Sequence, residues 1–440
     1  MWASKPARWV SLLRFSKLAV PLILCALASG ADSRLADERK RQALAEASRL
    51  PTDARIALLE GLIKAEPKDR QVQLELAGGF IQKLRETGDA GYLSRASSIV
   101  NAVLEDRPPL PKALRLRNEV EMNLHHFAKV ADYAEAMLAS DPSDAPTVGV
   151  LGDALMELGD YNRAHETYKR MVSLGANLFS YNRLAYYEFV TGNPDAALSW
   201  MNEAIAAGSS APENVAWCYS EMGDMLFKLG RVGDAEQAYR SSLIAFPGYH
   251  RAHAGLGRTS AAHGDVKTAI ANFLKAQIVV PLPEYAGWLE TLYGVSSDLK
   301  GAARQRAVLD ATEKLMSVNG EKANRTLALI YADASRNIPH AVDLARAEFD
   351  VRNDVYSWDA LSWVLYKNTK LAEAANASDK ALAQHTPEPG FFFHAGMIAE
   401  ANGDQAKART LLAKALALNA NFDPRNAPIA KTTHDKLASK

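Results

Sequence analysis

Cysteine is almost missing from this chain, with two in 440 residues. A disulfide-built scaffold is therefore excluded. Net charge is missing too: 51 basic side chains face 51 acidic ones. That removes the usual electrostatic argument for nucleic acid as the main partner. No alternating apolar–polar run is long enough for a sheet. There is no P-loop, no glycine-rich dinucleotide loop behind a strand and no G-x-S-x-G elbow. No Gly/Ser/Pro-rich linker divides the chain, and beyond residue 28 no stretch is apolar enough to cross a membrane. Disorder is excluded as well, because 48% hydrophobic and 23% charged residues are globular values.

What is there begins with an address. Lys5, Arg8, Arg14 and Lys17 precede an apolar run from Leu18 to Ala28, followed by Ser29, Gly30 and Ala31. A basic start, a short apolar core and a small-x-small end make a secretory signal peptide over residues 1–31. Cleavage is expected after Ala28 or Ala31, and the location is periplasmic or secreted. The 11-residue run is too short for a membrane anchor, which takes roughly 20 residues. Leu24 before Cys25 does not suit lipid attachment. Without residues 1–31 the chain carries 47 basic against 51 acidic side chains and keeps only Cys218. A lone cysteine on a helix reads as buried filler.

The rest repeats. Gly159-Asp-Tyr161, Gly192-Asn-Pro194, Gly230-Arg-Val232, Gly264-Asp-Val266 and Gly403-Asp-Gln405 share one register. Three residues later stand Ala164, Ala197, Ala235, Ala269 and Ala408, and four beyond those Tyr168, Met201, Tyr239, Phe273 and Leu412. Upstream lie the pairs Leu151-Gly152, Leu184-Ala185, Met222-Gly223, Leu256-Gly257 and Ala395-Gly396. Each unit holds two helical apolar patterns. The small residues let its two helices approach closely, and the glycine corner stops the first of them. Pro142, Pro247 and Pro281 close units, since proline lacks the amide hydrogen a helix needs. One pair cannot bury its own apolar faces, so neighbours must stack.

This pattern resembles the tetratricopeptide repeat, and the layout is similar to exported bacterial proteins of that class. The resemblance implies an all-α, right-handed superhelical solenoid of antiparallel helix pairs, about ten units in all. Unit starts fall near Arg70, Pro111, Ala145, Leu178, Ala216, His250, Pro283, Lys322, Val355 and Pro389. After the signal, residues 32–69 are a lead-in and capping helix. Residues 70–282 are the array, its first unit stretched by about six residues near Glu86–Leu93. Residues 283–354 hold degenerate units and 355–422 the C-terminal ones. Residues 423–440 are a polar tail, either a cap or a frayed end.

In such repeats, positions 2, 5, 9, 12 and 13 of the first helix line the concave face. Carried over, these give Asp153, Met156, Asn182, Tyr186, Phe189, Trp217, Asp224, Phe227, Arg251 and Arg258. Near the C-terminus they give Tyr356, Asp359, Trp363, Tyr366, Phe393 and Met397. Aromatic and arginine anchors suit protein hot spots. The family's carboxylate clamp is lacking, because position 5 is Gly149, Asn182, Ser220 and Ala254. Its asparagine ladder is lacking too, with Val150, Arg183, Glu221 and Gly255 at position 6.

His250 and His253 share a helix face, but no carboxylate or cysteine completes a four-ligand metal set; these, with His125, His126 and His263, read as packing or surface residues. The expectation is a non-catalytic exported scaffold whose groove binds a protein or extended peptide. The alternative is binding of envelope polysaccharide or a part in its assembly. No catalytic residue, cofactor, metal or nucleic-acid partner is expected, and membrane association is at most peripheral. An enzyme site hidden in residues 283–321 is the third reading.

Overall fold

The structure is a computed structural model that describes residues 33–106, 108–318 and 323–439. The expected signal peptide lies outside the described residues. Every regular element described is helical. Helices α1 (Ser33–Ala47) and α2 (Thr52–Ala65) lead in, and ten antiparallel pairs follow. They are α3 (Arg70–Thr87) with α4 (Ala90–Glu105), α5 (Pro111–Asn123) with α6 (Phe127–Ser140), and α7 (Ala145–Glu157) with α8 (Tyr161–Leu174). Next come α9 (Leu178–Val190) with α10 (Pro194–Ala207), α11 (Pro212–Lys228) with α12 (Val232–Ala245), and α13 (His250–Ala262) with α14 (Val266–Val279). Then α15 (Pro283–Val295) pairs with α16 (Leu299–Val318), α17 (Arg325–Asp333) with α18 (Ile338–Ala347), α19 (Val355–Lys367) with α20 (Leu371–Ala381), and α21 (Pro389–Ala401) with α22 (Gln405–Leu418). Helix α23 (Asn426–Ala438) ends the chain. It buries Ala427, Ala430 and Leu437, so the polar tail is a capping helix.

The local chemistry explains each pair. A Cβ on Gly152 would stand 2.3 Å from the Tyr168 ring, and one on Gly257 2.6 Å from Phe273. The large side chain of the second helix thus occupies the space that a small residue leaves on the first. Gly159, Gly192, Gly230, Gly264 and Gly403 all take a left-handed backbone, with φ between 73° and 86°. The residue after each donates its N–H five residues back, as Asp160 does to Leu155 at 2.9 Å. That is the Schellman corner, which satisfies carbonyls a helix end leaves open. The extra residues of the first unit lengthen its helices, eighteen residues in α3 and sixteen in α4, and do not form a loop.

Successive superhelical turns touch. Thr386 Oγ1 donates to the Val190 carbonyl at 2.5 Å, and Asn419 Nδ2 to the Phe227 carbonyl at 2.7 Å. The Asn353 N–H donates to the Glu157 carbonyl at 2.8 Å, and the Val355 N–H to Tyr161 Oη at 2.9 Å. The side-chain contacts span 192 to 196 residues, so one turn takes just under six units. Three of the acceptors are carbonyls at first-helix ends, groups that need an outside donor. Gly159 and Gly230 make the approach possible: a Cβ there would meet Asn353 O at 2.4 Å and Leu418 O at 2.3 Å. The concave groove is thereby wound into a narrow lumen lined by first helices.

Candidate functional site

Two cavity systems occupy the lumen. The first comprises overlapping cavities of about 300 and 490 Å³ lined from α3, α5, α7, α9 and α11, with Tyr168 and Met171 of α8. Asp153, Met156, Asn182, Tyr186 and Trp217 all line it, as the register predicts. The second, of about 410 Å³, is lined from α11, α13, α15, α17, α19 and α21 and by residues 422–426. Asp224, Phe227, Arg258, Tyr356 and Asp359 line that one.

Other expected groove residues sit elsewhere. Phe189, Trp363 and Phe393 are buried among the helices, at 2%, 2% and 1% exposure. They are corrected from groove anchors to core: close winding turns these positions against the next unit. Tyr366 stacks on Trp363 with ring centroids 4.9 Å apart, and Met397 packs on the same core. Arg251 lies against Trp217, 5.8 Å from its ring centroid, and pairs with Glu221 at 2.8 Å.

The expected charges are largely committed to one another. Asp153 accepts from Arg183 Nε and Nη2, each at 2.8 Å, and from Tyr168 Oη at 3.0 Å. Asp224 repeats the device, accepting from Tyr239 Oη at 2.6 Å and from Arg258, which also reaches Glu284 at 3.1 Å. The aspartate and tyrosine stand 15 residues apart in both cases. Lys228 pairs with Glu388 at 2.9 Å and Arg325 with Asp354 at 2.5 Å. Bidentate and charge-assisted pairs of this kind are the strong ones. They stiffen the lumen and leave few cations free to grip a partner.

The aromatic groups are less committed. Tyr186, Trp217 and Tyr356 are half-buried, and the Tyr186 and Tyr356 hydroxyls have no hydrogen-bond partner among the described residues. Cys218 is fully buried, with Asn182 Nδ2 3.9 Å from its sulfur. Burial pushes its thiol up to about 12, so it stays protonated as expected of filler. His250 is buried and bound through Nδ1 to Tyr285 Oη at 2.7 Å; burial first, then Arg251, lowers it to about 4. That is a packing histidine.

Sequence reading missed several lining residues: Lys228, Trp288, Arg325, Asp333, Glu388, His394 and Asp423. Asp333 had a signal. The unit start at Lys322 lies outside the described residues; the helix begins at Arg325, capped by Asn324, whose side chain accepts from the Leu327 N–H. Counted from there, Asp333 is the ninth position, like Asp153.

The sequence profile of the tetratricopeptide repeat matches residues 150–212, 221–284 and 360–424. These segments fall on the helix pairs just described. Over these residues the helix pairs are tetratricopeptide repeats. Among solved structures, this repeat protein is similar to the APC/C hetero-tetramer Cut9–Hcn1, at 13% identity and a TM-score of 0.50, covering 95% of this chain and 72% of that one. That likeness shows the fold alone. The human IFIT1 dimer with PPP-AAAA gives 13% identity, coverage of 91% and 94%, and a TM-score of 0.46. The type IV pilus biogenesis factor PilW gives 20%, 45% and 91%, and 0.39. No curated protein matches the sequence. No helix among the described residues is long and apolar enough to cross a membrane.

Proposed function

We propose that this repeat protein is a non-catalytic scaffold that holds an extended peptide segment of a protein partner in its lumen. The observation that carries this is the row of half-buried aromatics, Tyr186, Trp217 and Tyr356, on a wall whose arginines and lysine are largely paired already. Such rings bury area at little entropic cost and, for tyrosine, offer a hydroxyl to a peptide group. Cavities of 300 to 490 Å³ suit a few residues each. The basic-then-apolar start of the chain supports export, with cleavage after Ala28 or Ala31 and residence in the periplasm or beyond. N-terminal sequencing of the protein from fractionated cells checks that part.

The binding test is selection of a random dodecapeptide display library on the full chain and on a Trp217→Ala, Tyr356→Ala variant. Peptides enriched on the wild type should lose about tenfold in affinity on the variant, the worth of one or two aromatic anchors. Enrichment of the same peptides by both proteins overturns the lumen assignment. No enrichment, with retention of envelope glycan instead, overturns the peptide reading.

A further inference from the structure

The second cavity is the part of the lumen where charges do not balance. Its cations all have partners: Lys228 holds Glu388, Arg258 holds Asp224 and Glu284, and Arg325 holds Asp354. Two lining carboxylates make no salt bridge among the described residues. Asp333 accepts from Trp363 Nε1 at 2.9 Å and Asn426 Nδ2 at 3.2 Å. Among the described residues Asp423 accepts only the N–H groups of Arg425 and Asn426, at 2.8 and 2.7 Å. Burial first, and the neighbouring Asp333 second, push the Asp423 carboxyl up to about 6. Two like charges are being held together in a half-dry site, an arrangement that favours a bound cation.

A separate observation points into the same space. His394 is buried, with its side chain 8% exposed. Its Nδ1 is fixed on Asp359, 2.9 and 3.0 Å from the two oxygens, and its ring stacks on Trp363 at 4.3 Å. Its Nε2 has no partner among the described residues, and the residue lines the cavity. With Nδ1 facing a carboxylate, a protonated ring presents Nε2–H as a donor. Phe227, Tyr356 and Phe391 give the cavity apolar walls that fit a methylene stem.

We propose that this cavity takes a lysine or arginine side chain of a peptide, its charged end between Asp333 and Asp423 and an adjacent peptide carbonyl on His394 Nε2. The inference rests on the scaffold reading and names which side chain that scaffold selects. Two carboxylates and one imidazole donor match a basic residue together with its own backbone, whereas an acidic or neutral side chain would leave both carboxylates uncompensated.

The test uses the full chain and fluorescein-labelled, end-capped hexalysine, read by anisotropy, with the same peptide acetylated on every side chain as comparator. Hexalysine should bind, and acetylation should abolish binding. An Asp333→Asn, Asp423→Asn variant should weaken binding about tenfold, as expected for losing charge-assisted contacts. An Asp234→Asn, Asp379→Asn variant, with the same change of net charge on the outer surface, should not. Equal weakening by both variants would mean diffuse attraction and overturn the site; so would no binding by the wild type. The His394 Hε1 proton signal, assigned with His394→Gln, provides a second readout on the unaltered cavity. It should move on titration with hexalysine, and a fixed signal overturns the inference. If hexalysine fails while library peptides still bind through Trp217 and Tyr356, this inference falls and the scaffold reading stands.

Discussion

The four units that start from Ala145 to His250 and the units just after residue 283 solve the same packing problem with partly different residues. Before it, the small residue at position 8 of the first helix is Gly152, Ala185, Gly223 and Gly257, and an aromatic or methionine of the second helix fills the gap. In the unit beginning at Pro283 that position is Glu290, buried at 6% and set 3.6 Å from Arg306 and 3.8 Å from Arg336. Corners differ likewise. Glycine makes the left-handed turn at 159, 192, 230 and 264, whereas Ser297 (φ 62°), Ser335 (φ 49°) and Thr369 (φ 58°) make it in the next three units, before glycine returns at 403; His125 (φ 59°) is the earlier exception. The hydrogen-bond pattern is conserved nonetheless: Asp298 donates to Tyr293 at 2.8 Å and Lys370 to Leu365 at 2.9 Å. The repeat is therefore defined by its backbone geometry, and glycine and alanine are only its least strained solution. The second-cavity carboxylates without a salt bridge among the described residues, Asp333 and Asp423, also lie after residue 283.

Position 8 should show the largest contrast. Gly257→Val drives a branched side chain into Phe273, and we expect a loss of about 3 kcal/mol or more. Glu290→Gln keeps the shape and some hydrogen bonding while removing a charge from a loose ion pair. Its cost should be about 1 kcal/mol. Denaturant midpoints of the two variants measure the difference. Equal losses would mean that the two halves pack alike.

The lumen carboxylates should respond in opposite directions. Asp224 is desolvated by burial, but Arg258 and Arg251 outweigh that and hold it below its ordinary value. Its contribution is present above the unfolded pKa near 3.8 and is lost as pH falls through the lower folded value. Asp224→Asn should cost about 2 kcal/mol at pH 7, since it strands buried Arg258. Asp423 has the opposite sign. Its folded value is raised to about 6, so ionisation costs stability as pH rises from about 3.8 to 6. Asp423→Asn keeps the capping acceptor and should stabilise by about 1 kcal/mol at pH 7. The gain should disappear below about pH 4. Melting temperatures at pH 4 and 7 for the two variants read both slopes. A neutral-pH loss for Asp423→Asn would show that its charge is already compensated.

Much of this half-to-half contrast was legible in the sequence. Helices begin at Pro111, Ala145, Leu178, His250, Pro283, Val355 and Pro389, where the repeat register puts unit starts. Those signals are local: proline in a first turn, glycine at a corner, and a small residue across from a large one. Helix α11 begins at Pro212, a turn before Ala216, because that proline lies outside the repeat pattern but suits a first helical turn. Long-range features were not legible. Nothing near Thr386 or Asn419 says that its side chain will meet a carbonyl almost 200 residues away. The tightness of that winding also decides which aromatics face the lumen. Tyr186 reaches it from position 9, while Trp363, at the same position of its own unit, is pressed against neighbouring units, as is Phe189. His394 escaped because position 6 is not among the groove positions, and its role depends on Asp359 one unit earlier.

The smallest expected effect isolates the corner itself. Thr369 is β-branched and left-handed, an arrangement that costs about 1–2 kcal/mol relative to a relaxed backbone. Glycine would remove that strain, but it loses more backbone freedom on folding, by about 0.5–1 kcal/mol. Thr369→Gly should therefore stabilise by about 0.5 kcal/mol, the difference of the two terms. The reverse exchange, Gly264→Thr, should destabilise by a similar amount, because no atom stands within 4 Å of its Cβ direction and only the backbone is tested. Gly230→Thr should cost much more. There the added carbon meets Leu418 O of the next superhelical turn at 2.3 Å, so corner strain and turn closure fail together. A melting series over the three variants separates what a corner glycine does for its own unit from what it does for the winding of the whole chain.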